Sequence, residues 1–271
     1  MPQARIHAGS FSPRFAAWFS SYVRWLVRRK FHAVRIAQPE VFTRLANDQR
    51  PLIGVMNHPG WWDPLSIMVV HGSLLGLRPA AAPMDNSQLE KFGFFKRLGL
   101  FGVDPDDPGT QPAMMQHMAA VWAKAPSTVL WVTPQGRFVD PRVPVEPRPG
   151  TATIAARTPG VRLVSLAIEY VFWLDQKPEI LLRAAEIPTP DKPTTPHWHR
   201  AIQHTMQHNA DALASLAIAR NPAPFRTLIA SNSGINPAMN LWLRLRGKSP
   251  DIDSARVAPA PAGSAVGGTH T

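Results

Sequence analysis

A histidine and an aspartate stand five positions apart, at His58 and Asp63, directly after the apolar run at residues 51–56. A neutral imidazole accepts a proton near neutral pH. A carboxylate on its other nitrogen fixes the tautomer and stabilises the imidazolium that forms. The pair could therefore activate a hydroxyl group as a nucleophile.

The two side chains can meet only if the chain bends between them. On one continuous helix, residues five apart are separated by about 140° around the axis. Pro59 and Gly60 provide a bend, because proline disfavours helical geometry in the residue before it and glycine adopts angles closed to other residues. Asp63 followed by Pro64 is typical of a helix start. An alternative stays open here, in which Asp63 only caps that helix and His58 only ends a strand.

The elements that must position these residues follow in a regular order. Residues 127–132 are β-branched and large apolar residues that predict a buried strand, and they run into a polar turn at residues 133–137. A basic turn, a short helix and an apolar strand at residues 161–173 come next. This alternation predicts an α/β fold, with a mixed, mostly parallel sheet flanked by helices. Because sites in such sheets gather beyond the carboxyl ends of strands, His58 and the polar turn are expected to converge.

In this combination of motifs the chain resembles the glycerolipid acyltransferases typified by lysophosphatidic acid acyltransferase. The His-x4-Asp hallmark of that family is matched by His58 and Asp63, with Asn57 before the histidine. Its Phe-Pro-Glu-Gly turn is matched in part by residues 133–136, and its last apolar strand resembles residues 163–168. The resemblance implies transfer of an acyl group from acyl-CoA or acyl-carrier protein to a lipid hydroxyl, with His58 as general base oriented by Asp63.

The resemblance also implies a set of substrate-binding residues. These are Asn57, Pro134, Gln135, Gly136 and Arg137. Backbone N–H groups of the turn, or Arg137, are candidates to stabilise the oxyanion of the transition state. Covalent catalysis is disfavoured, because the chain has no cysteine and no Gly-x-Ser-x-Gly motif.

Two features depart from the pattern of that family and bear on the acceptor. The turn glutamate, which helps hold a glycerol-phosphate acceptor in the family, is the uncharged Gln135 here. The preceding block, residues 99–107, has three aspartates where the family has an arginine, and carboxylates repel a phosphomonoester. A lyso-aminolipid, a glycolipid or a modified terpenoid is therefore at least as good a candidate acceptor as lysophosphatidic acid.

Composition limits the classes of molecule that this chain could bind. A chain of 271 residues that is 45% hydrophobic can bury a full core, and its formal net charge of +11 suits anionic lipid, nucleic acid or phosphorylated donors. No nucleic-acid recognition motif is found, so no nucleic-acid partner is expected, and a nucleic-acid binder stays open only as a third alternative, because basic residues cluster beside a bulky apolar stripe. His204 and His208 share a helical spacing but lack a third ligand, so no metal and no bound cofactor are predicted.

The amino-terminal arm is cationic and aromatic. Seven Lys or Arg residues precede Glu40, the first acidic residue, and bulky side chains recur at helical spacing between Phe15 and Leu26. This pattern is typical of a helix lying in a lipid interface, although such a stripe can also cover a protein core. No apolar stretch is long enough to span a bilayer, and no signal peptide is found. We therefore expect a peripheral protein at the cytoplasmic face of a membrane, with membrane lipids as partners.

The sequence predicts four parts. A membrane-associating arm occupies residues 1–36, an acyltransferase domain residues 37–220, a basic element residues 221–248, and a disordered tail rich in Ala, Pro and Gly residues 249–271. A non-catalytic lipid-binding protein that retains the fold is the main alternative to an enzyme, and Gln135 is its best support.

Overall fold

Helices and strands alternate through the chain in the computed structural model, which describes residues 6, 7, 9, 11–76, 78–173, 175–231 and 242–247. The elements are α1 (Pro13–Lys30), β1 (Ala33–Ala37), α2 (Glu40–Leu45), β2 (Leu52–Met56), α3 (Asp63–Val70), a π-helix (His71–Leu75), β3 (Ala80–Asp85), α4 (Asn86–Lys91), a 3₁₀-helix (Gly93–Leu98), β4 (Leu100–Val103), α5 (Thr110–Lys124), β5 (Val129–Val132), α6 (Gly150–Ala156), β6 (Arg162–Val171), β7 (Glu179–Ile187), α7 (Thr195–Ala219) and β8 (Phe225–Ala230).

The strands form one eight-stranded sheet in the order β4-β3-β5-β2-β6-β7-β1-β8. Within the described residues, two neighbouring pairs are antiparallel, namely β6 with β7 and β1 with β8. The other neighbouring pairs are parallel. The predicted α/β fold with a mixed, mostly parallel sheet is therefore confirmed. Because β5, β2 and β6 are adjacent and parallel, their carboxyl ends lie at one edge of the sheet.

The central strand β2 is buried along its whole length, as expected for a strand covered on both faces. Its sequence is a continuous apolar run with one glycine, Gly54. A Cβ at that position would collide with the ring of Trp131 on the neighbouring strand β5. The glycine therefore lets the indole lie against β2, which packs the strand that leads to His58.

Helices cover both faces of the sheet. One hydrophobic cluster includes buried residues of α1, α2 and α3, such as Val23, Phe42 and Val69. A second cluster includes buried residues of α5, α6 and α7, among them Met118 and Trp198. No helix in the described ranges is both long and apolar enough to cross a bilayer.

The terminal segments extend this fold. The predicted arm at residues 1–36 contributes α1, whose Phe19, Val23 and Val27 are buried, and most of β1. The predicted basic element at residues 221–248 includes β8, the strand beside β1. The predicted tail at residues 249–271 lies outside the described residues.

Candidate active site

The candidate residues follow the carboxyl ends of β2 and β5, which are neighbours in the sheet. His58 comes two residues after β2, and the polar turn at residues 133–137 comes directly after β5. The strand β6 flanks β2 on its other side, in a register that pairs Met56 with Leu166. His58 therefore lies at the edge of the sheet where β2, β5 and β6 end.

The imidazole of His58 contacts the carboxylate of Asp63. The distance between His58 Nδ1 and Asp63 Oδ2 is 2.5 Å. An ionised carboxylate can only accept a hydrogen bond, so Nδ1 carries the proton and Nε2 has a free lone pair. The His58 side chain is 20% exposed, whereas that of Asp63 is fully buried. In the described part of the chain Nε2 has no hydrogen-bond partner, so it is the nitrogen that can accept a proton.

Two further groups hold the Asp63 carboxylate. The backbone N–H of Gly60 donates to Oδ2 at 3.0 Å, and the hydroxyl of Tyr170 donates to Oδ1. Although α3 begins at Asp63, none of the carboxylate's hydrogen bonds within the described residues caps that helix. The bend at Pro59 and Gly60 brings the two side chains together, and the carboxylate serves His58 rather than the helix end.

Tyr170 is a site residue that the sequence analysis missed. It lies near the end of β6, and its ring is 6.1 Å from that of Phe31, which in turn meets Trp62 edge-on at 5.0 Å. Burial, and then the negative charge of Asp63, raises the pKa of Tyr170 above its ordinary value. The hydroxyl therefore stays protonated and can donate to the carboxylate. A polar residue near the end of an apolar strand was the only signal in the sequence.

Asn57 joins β2 to β6. Its buried side-chain amide donates to the carbonyl of Ile168 at 3.0 Å and accepts from the N–H of Ile168 at 2.9 Å. The side chain thus extends the backbone pairing of the two strands beyond Met56 and fixes the distance between His58 and the strand that carries Tyr170. Contact of Asn57 with a substrate stays a prediction.

The polar turn after β5 is anchored to residue 148. Within the turn the N–H of Gly136 donates to the carbonyl of Thr133 at 3.0 Å, and the N–H of Arg148 donates to the carbonyl of Pro134 at 2.8 Å. Gly136 has a φ of 66°, and a Cβ there would lie 3.2 Å from Nε of Arg148. Only glycine suits both the backbone angle and the close approach of the Arg148 side chain.

Two of the predicted substrate-binding side chains differ in exposure. Gln135 is buried, and its amide oxygen has no hydrogen-bond partner in the described part of the chain. Arg137 is exposed. Within the described ranges neither side chain has a hydrogen bond or an ion pair with His58, and their roles stay predictions.

The two loops meet through the residues that follow the turn. The N–H of Val139 donates to the carbonyl of His58 at 2.9 Å. The ring of Phe138 lies 4.4 Å from the imidazole of His58, centroid to centroid. The predicted convergence of the two loops is therefore observed, and Phe138 is a second site residue that the sequence analysis missed.

Exposed aromatic side chains occur in the loops that carry the pair and after the end of β6: Phe138 contacts His58, Trp61 lies between His58 and Asp63, and Phe172 comes two residues after Tyr170. Phe138 is 63% exposed, Trp61 70% and Phe172 64%. Large apolar groups left in water beside a polar site are typical of surfaces that meet lipids or other partners. Phe138 therefore gives the imidazole of His58 an exposed aromatic neighbour.

Among the described residues, no group of three or more His, Cys, Asp or Glu side chains is placed to hold a metal ion. The polar groups that the structure describes at this edge of the sheet include the imidazole of His58, the carboxylate of Asp63 and nearby backbone N–H groups.

Comparison with known proteins adds one finding. The family model described as Acyltransferase matches residues 33–169, just over half of the chain. That range contains His58, Asp63 and the turn at residues 133–137, and it ends one residue before Tyr170. The comparison with curated proteins found no match.

Proposed function

Since the chain belongs to the acyltransferase family, we propose that it transfers a fatty acyl group from acyl-CoA or acyl-carrier protein to the hydroxyl of a lysolipid or another hydroxylated lipid. The observation that carries this proposal is the 2.5 Å contact between His58 Nδ1 and the fully buried Asp63, with Nε2 free to accept a proton. No bound cofactor is required, since both the donor and the acceptor are substrates.

In the proposed mechanism, His58 acts as a general base. Nε2 takes the proton of the acceptor hydroxyl while the hydroxyl oxygen attacks the thioester carbonyl carbon. The new C–O bond forms, the C–S bond breaks, and the departing thiolate takes the proton back from the imidazolium. Asp63 stabilises the positive charge that His58 carries between the two proton transfers, and Tyr170 and Gly60 keep the carboxylate in place.

The turn after β5 supplies the candidate groups for the oxyanion. The N–H of Gly136 is already used within the turn. In the described structure the backbone N–H groups of Gln135 and Arg137 have no backbone partner, so they remain available. Preorganised donors of this kind stabilise the charge that develops on a carbonyl oxygen. The exposed guanidinium of Arg137 is the alternative donor.

Charge at the site edge supports a lipid acceptor without a phosphomonoester. Gln135 is neutral where a glutamate stands in the family turn. Asp104 and Asp107 follow β4, whose carboxyl end faces the same edge of the sheet as His58, and both accept hydrogen bonds from local backbone N–H groups. These carboxylates disfavour a doubly charged phosphate nearby, whereas the exposed aromatic residues favour an apolar body on the acceptor.

We also propose that α1 contacts the membrane surface from the cytoplasmic side. Trp18, Tyr22 and Trp25 are exposed along one side of the helix, and their rings follow one another at 6.3 and 5.9 Å. The guanidinium of Arg29 lies 5.0 Å from the ring of Trp25. Aromatic rings beside basic groups suit the headgroup region of a bilayer. Replacing Trp18 and Trp25 with alanine is expected to lower the fraction that sediments with vesicles, and unchanged binding would contradict this role.

The experiment that tests the activity offers labelled long-chain acyl-CoA and acyl-carrier protein to the purified protein with a panel of lysolipids and hydroxylated lipids. Product mass identifies the donor and the acceptor. His58→Ala is expected to lower the rate about 10²- to 10⁴-fold, the usual contribution of a general base. His204→Ala, at an exposed histidine of α7, is the matched control and should retain the wild-type rate.

Two results would count against the proposal. A folded His58→Ala variant with wild-type transfer would exclude the role of His58. Absence of turnover with every donor and acceptor, together with vesicle binding that His58→Ala leaves unchanged, would instead indicate a non-catalytic lipid-binding protein.

A further inference from the structure

A cavity of about 450 Å³ opens between α1, the π-helix and β8. Two residues of α1, two of the π-helix and three of β8 line it, and they are Ser20, Arg24, Gly72, Ser73, Arg226, Thr227 and Leu228. None of them takes part in the His58–Asp63 site. The volume lies within the range of about 300–1,000 Å³ that is typical of ligand pockets, so the cavity can hold a group larger than a single ion.

The polar lining of this cavity presents hydrogen-bond donors. Nη1 of Arg24 donates to Oγ of Ser73 at 3.0 Å, and Nη1 of Arg35 donates to Oγ1 of Thr227 at 3.0 Å. A hydroxyl oxygen that accepts from a guanidinium still has its own hydrogen to donate. Both hydroxyl groups can therefore donate to a ligand, and a ligand rich in acceptors is the best match.

The charge of the lining is positive and uncompensated. Arg24 bonds to a neutral serine, and Arg226 has no hydrogen bond or ion pair within the described ranges. Arg35, which borders the cavity through Thr227, is paired with Glu179 at 2.5 Å. No carboxylate is among the lining residues that the structure describes. Two guanidinium groups that face one cavity without an acidic partner favour an anion.

The backbone on one side of the cavity has an uncommon conformation. Gly72 and Ser73 belong to the π-helix His71–Leu75, a form that is rare and frequent at functional sites. A Cβ on Gly72 would lie 3.2 Å from Oγ of Ser20 across the cavity wall. The glycine thus lets the π-helix approach α1 closely while Ser73 reaches Arg24.

We propose that this cavity binds the phosphate group of a ligand, at a place separate from the acyl-transfer site. Phosphate oxygens accept several hydrogen bonds, and their negative charge would supply the anionic partner that Arg24 and Arg226 do not have within the described residues. The phosphate could belong to the headgroup of an anionic phospholipid or to a water-soluble phosphate ester. This binding does not depend on the proposed acyl transfer and can be measured without it.

The test compares two double variants of the full-length chain. Arg24→Gln/Arg226→Gln removes both guanidinium groups from the cavity. Lys124→Gln/Arg200→Gln is the matched control, because it removes the same charge from exposed positions of α5 and α7 that do not line the cavity and do not belong to α1. The probes are inorganic phosphate, measured by isothermal titration, and phosphatidylcholine vesicles that contain phosphatidylglycerol, measured by sedimentation.

We expect the cavity double variant to bind at least one probe about 10-fold more weakly than the control double variant, as the loss of a charged hydrogen bond predicts. A larger loss of vesicle binding than in the control assigns the site to a lipid headgroup. A loss confined to inorganic phosphate assigns it to a soluble phosphate compound.

Equal binding of both probes by the two double variants would overturn the proposal, and so would absence of binding of both probes to the wild-type protein. If circular dichroism shows that the cavity double variant is unfolded, the single variant Arg226→Gln is tested instead, with Arg200→Gln as its control. Arg226 is exposed and without a described partner, so its replacement does not disturb the packing.

Discussion

Replacing Tyr170 with phenylalanine removes one hydroxyl group and keeps the ring. That hydroxyl donates to Oδ1 of Asp63, whereas His58 and Gly60 both contact Oδ2. In the described residues no other group donates to Oδ1. The substitution therefore leaves one oxygen of a fully buried carboxylate without a partner.

The magnitude follows from that geometry. A buried acceptor left unsatisfied costs about 1–3 kcal/mol of unfolding free energy, and more where the acceptor is charged. A domain with the usual stability of about 5–15 kcal/mol stays folded after such a loss. If the same hydrogen bond also orients Asp63 toward His58, about 1.5–3 kcal/mol of transition-state stabilisation is lost, which corresponds to about 10- to 100-fold in kcat. KM should change little, because the hydroxyl of Tyr170 is used by the buried carboxylate of Asp63.

The assay combines urea unfolding with thiol release from the acyl donor, and the chain contains its own control. Tyr22 is the other of the two tyrosines and is exposed on α1. Tyr22→Phe removes the same hydroxyl while its ring can still stack against Trp18 and Trp25. We expect Tyr22→Phe to match the wild-type protein in both measurements. If Tyr170→Phe also matched it in stability and in kcat, the reasoning about the Asp63 carboxylate would be refuted.

Two other predictions concern the buried side chains of Asn57 and His71. Asn57→Ala should lower the free energy of unfolding, measured in urea, by about 2–4 kcal/mol, because it leaves the N–H and the carbonyl of Ile168 without these hydrogen-bond partners. An effect no larger than that of Asn47→Ala, at an exposed position, would contradict this. Burial lowers the pKa of His71, whose Nδ1 accepts a hydrogen bond from Nε1 of Trp131. The unfolded chain therefore binds a proton at this histidine before the folded chain does. The stabilisation that the neutral His71 gives is complete above about pH 6.5 and is lost as the pH falls below that value. Unfolding measured from about pH 8 to about pH 5 should therefore show a loss of up to about 1.4 kcal/mol per pH unit from this residue, and His71→Gln should flatten the profile; identical profiles would exclude this role.

The elements with strong local patterns could be predicted from the sequence. The apolar run at residues 51–56 forms β2 (Leu52–Met56), and the strand predicted at residues 127–132 is β5 (Val129–Val132). By contrast, β3 contains three alanines and a proline, which have low strand propensity, and it forms because it pairs with β4 and β5. Pairing with strands that are distant in sequence leaves no local signal, so β3 was not predicted.

The same distinction applies to the site. His58 and Asp63 are five residues apart, so their types, spacing and the bend between them could be recognised locally. Tyr170 is 107 residues from Asp63 and reaches it only through the register of β2 with β6. Phe138 reaches His58 through a loop whose path depends on the contact between Val139 and the carbonyl of His58. Contacts that depend on strand register could not be read from the sequence alone.

The burial of Asp63 links the imidazole–carboxylate pair to the formation of the sheet. A buried carboxylate is costly unless several donors compensate it. Its donors come from two places: His58 and Gly60 belong to the loop after β2, and Tyr170 belongs to β6. Asn57 holds these two strands together at that point. The imidazole–carboxylate pair therefore depends on the pairing of β2 with β6 in register, and a substitution that loosens this pairing should lower stability and activity together.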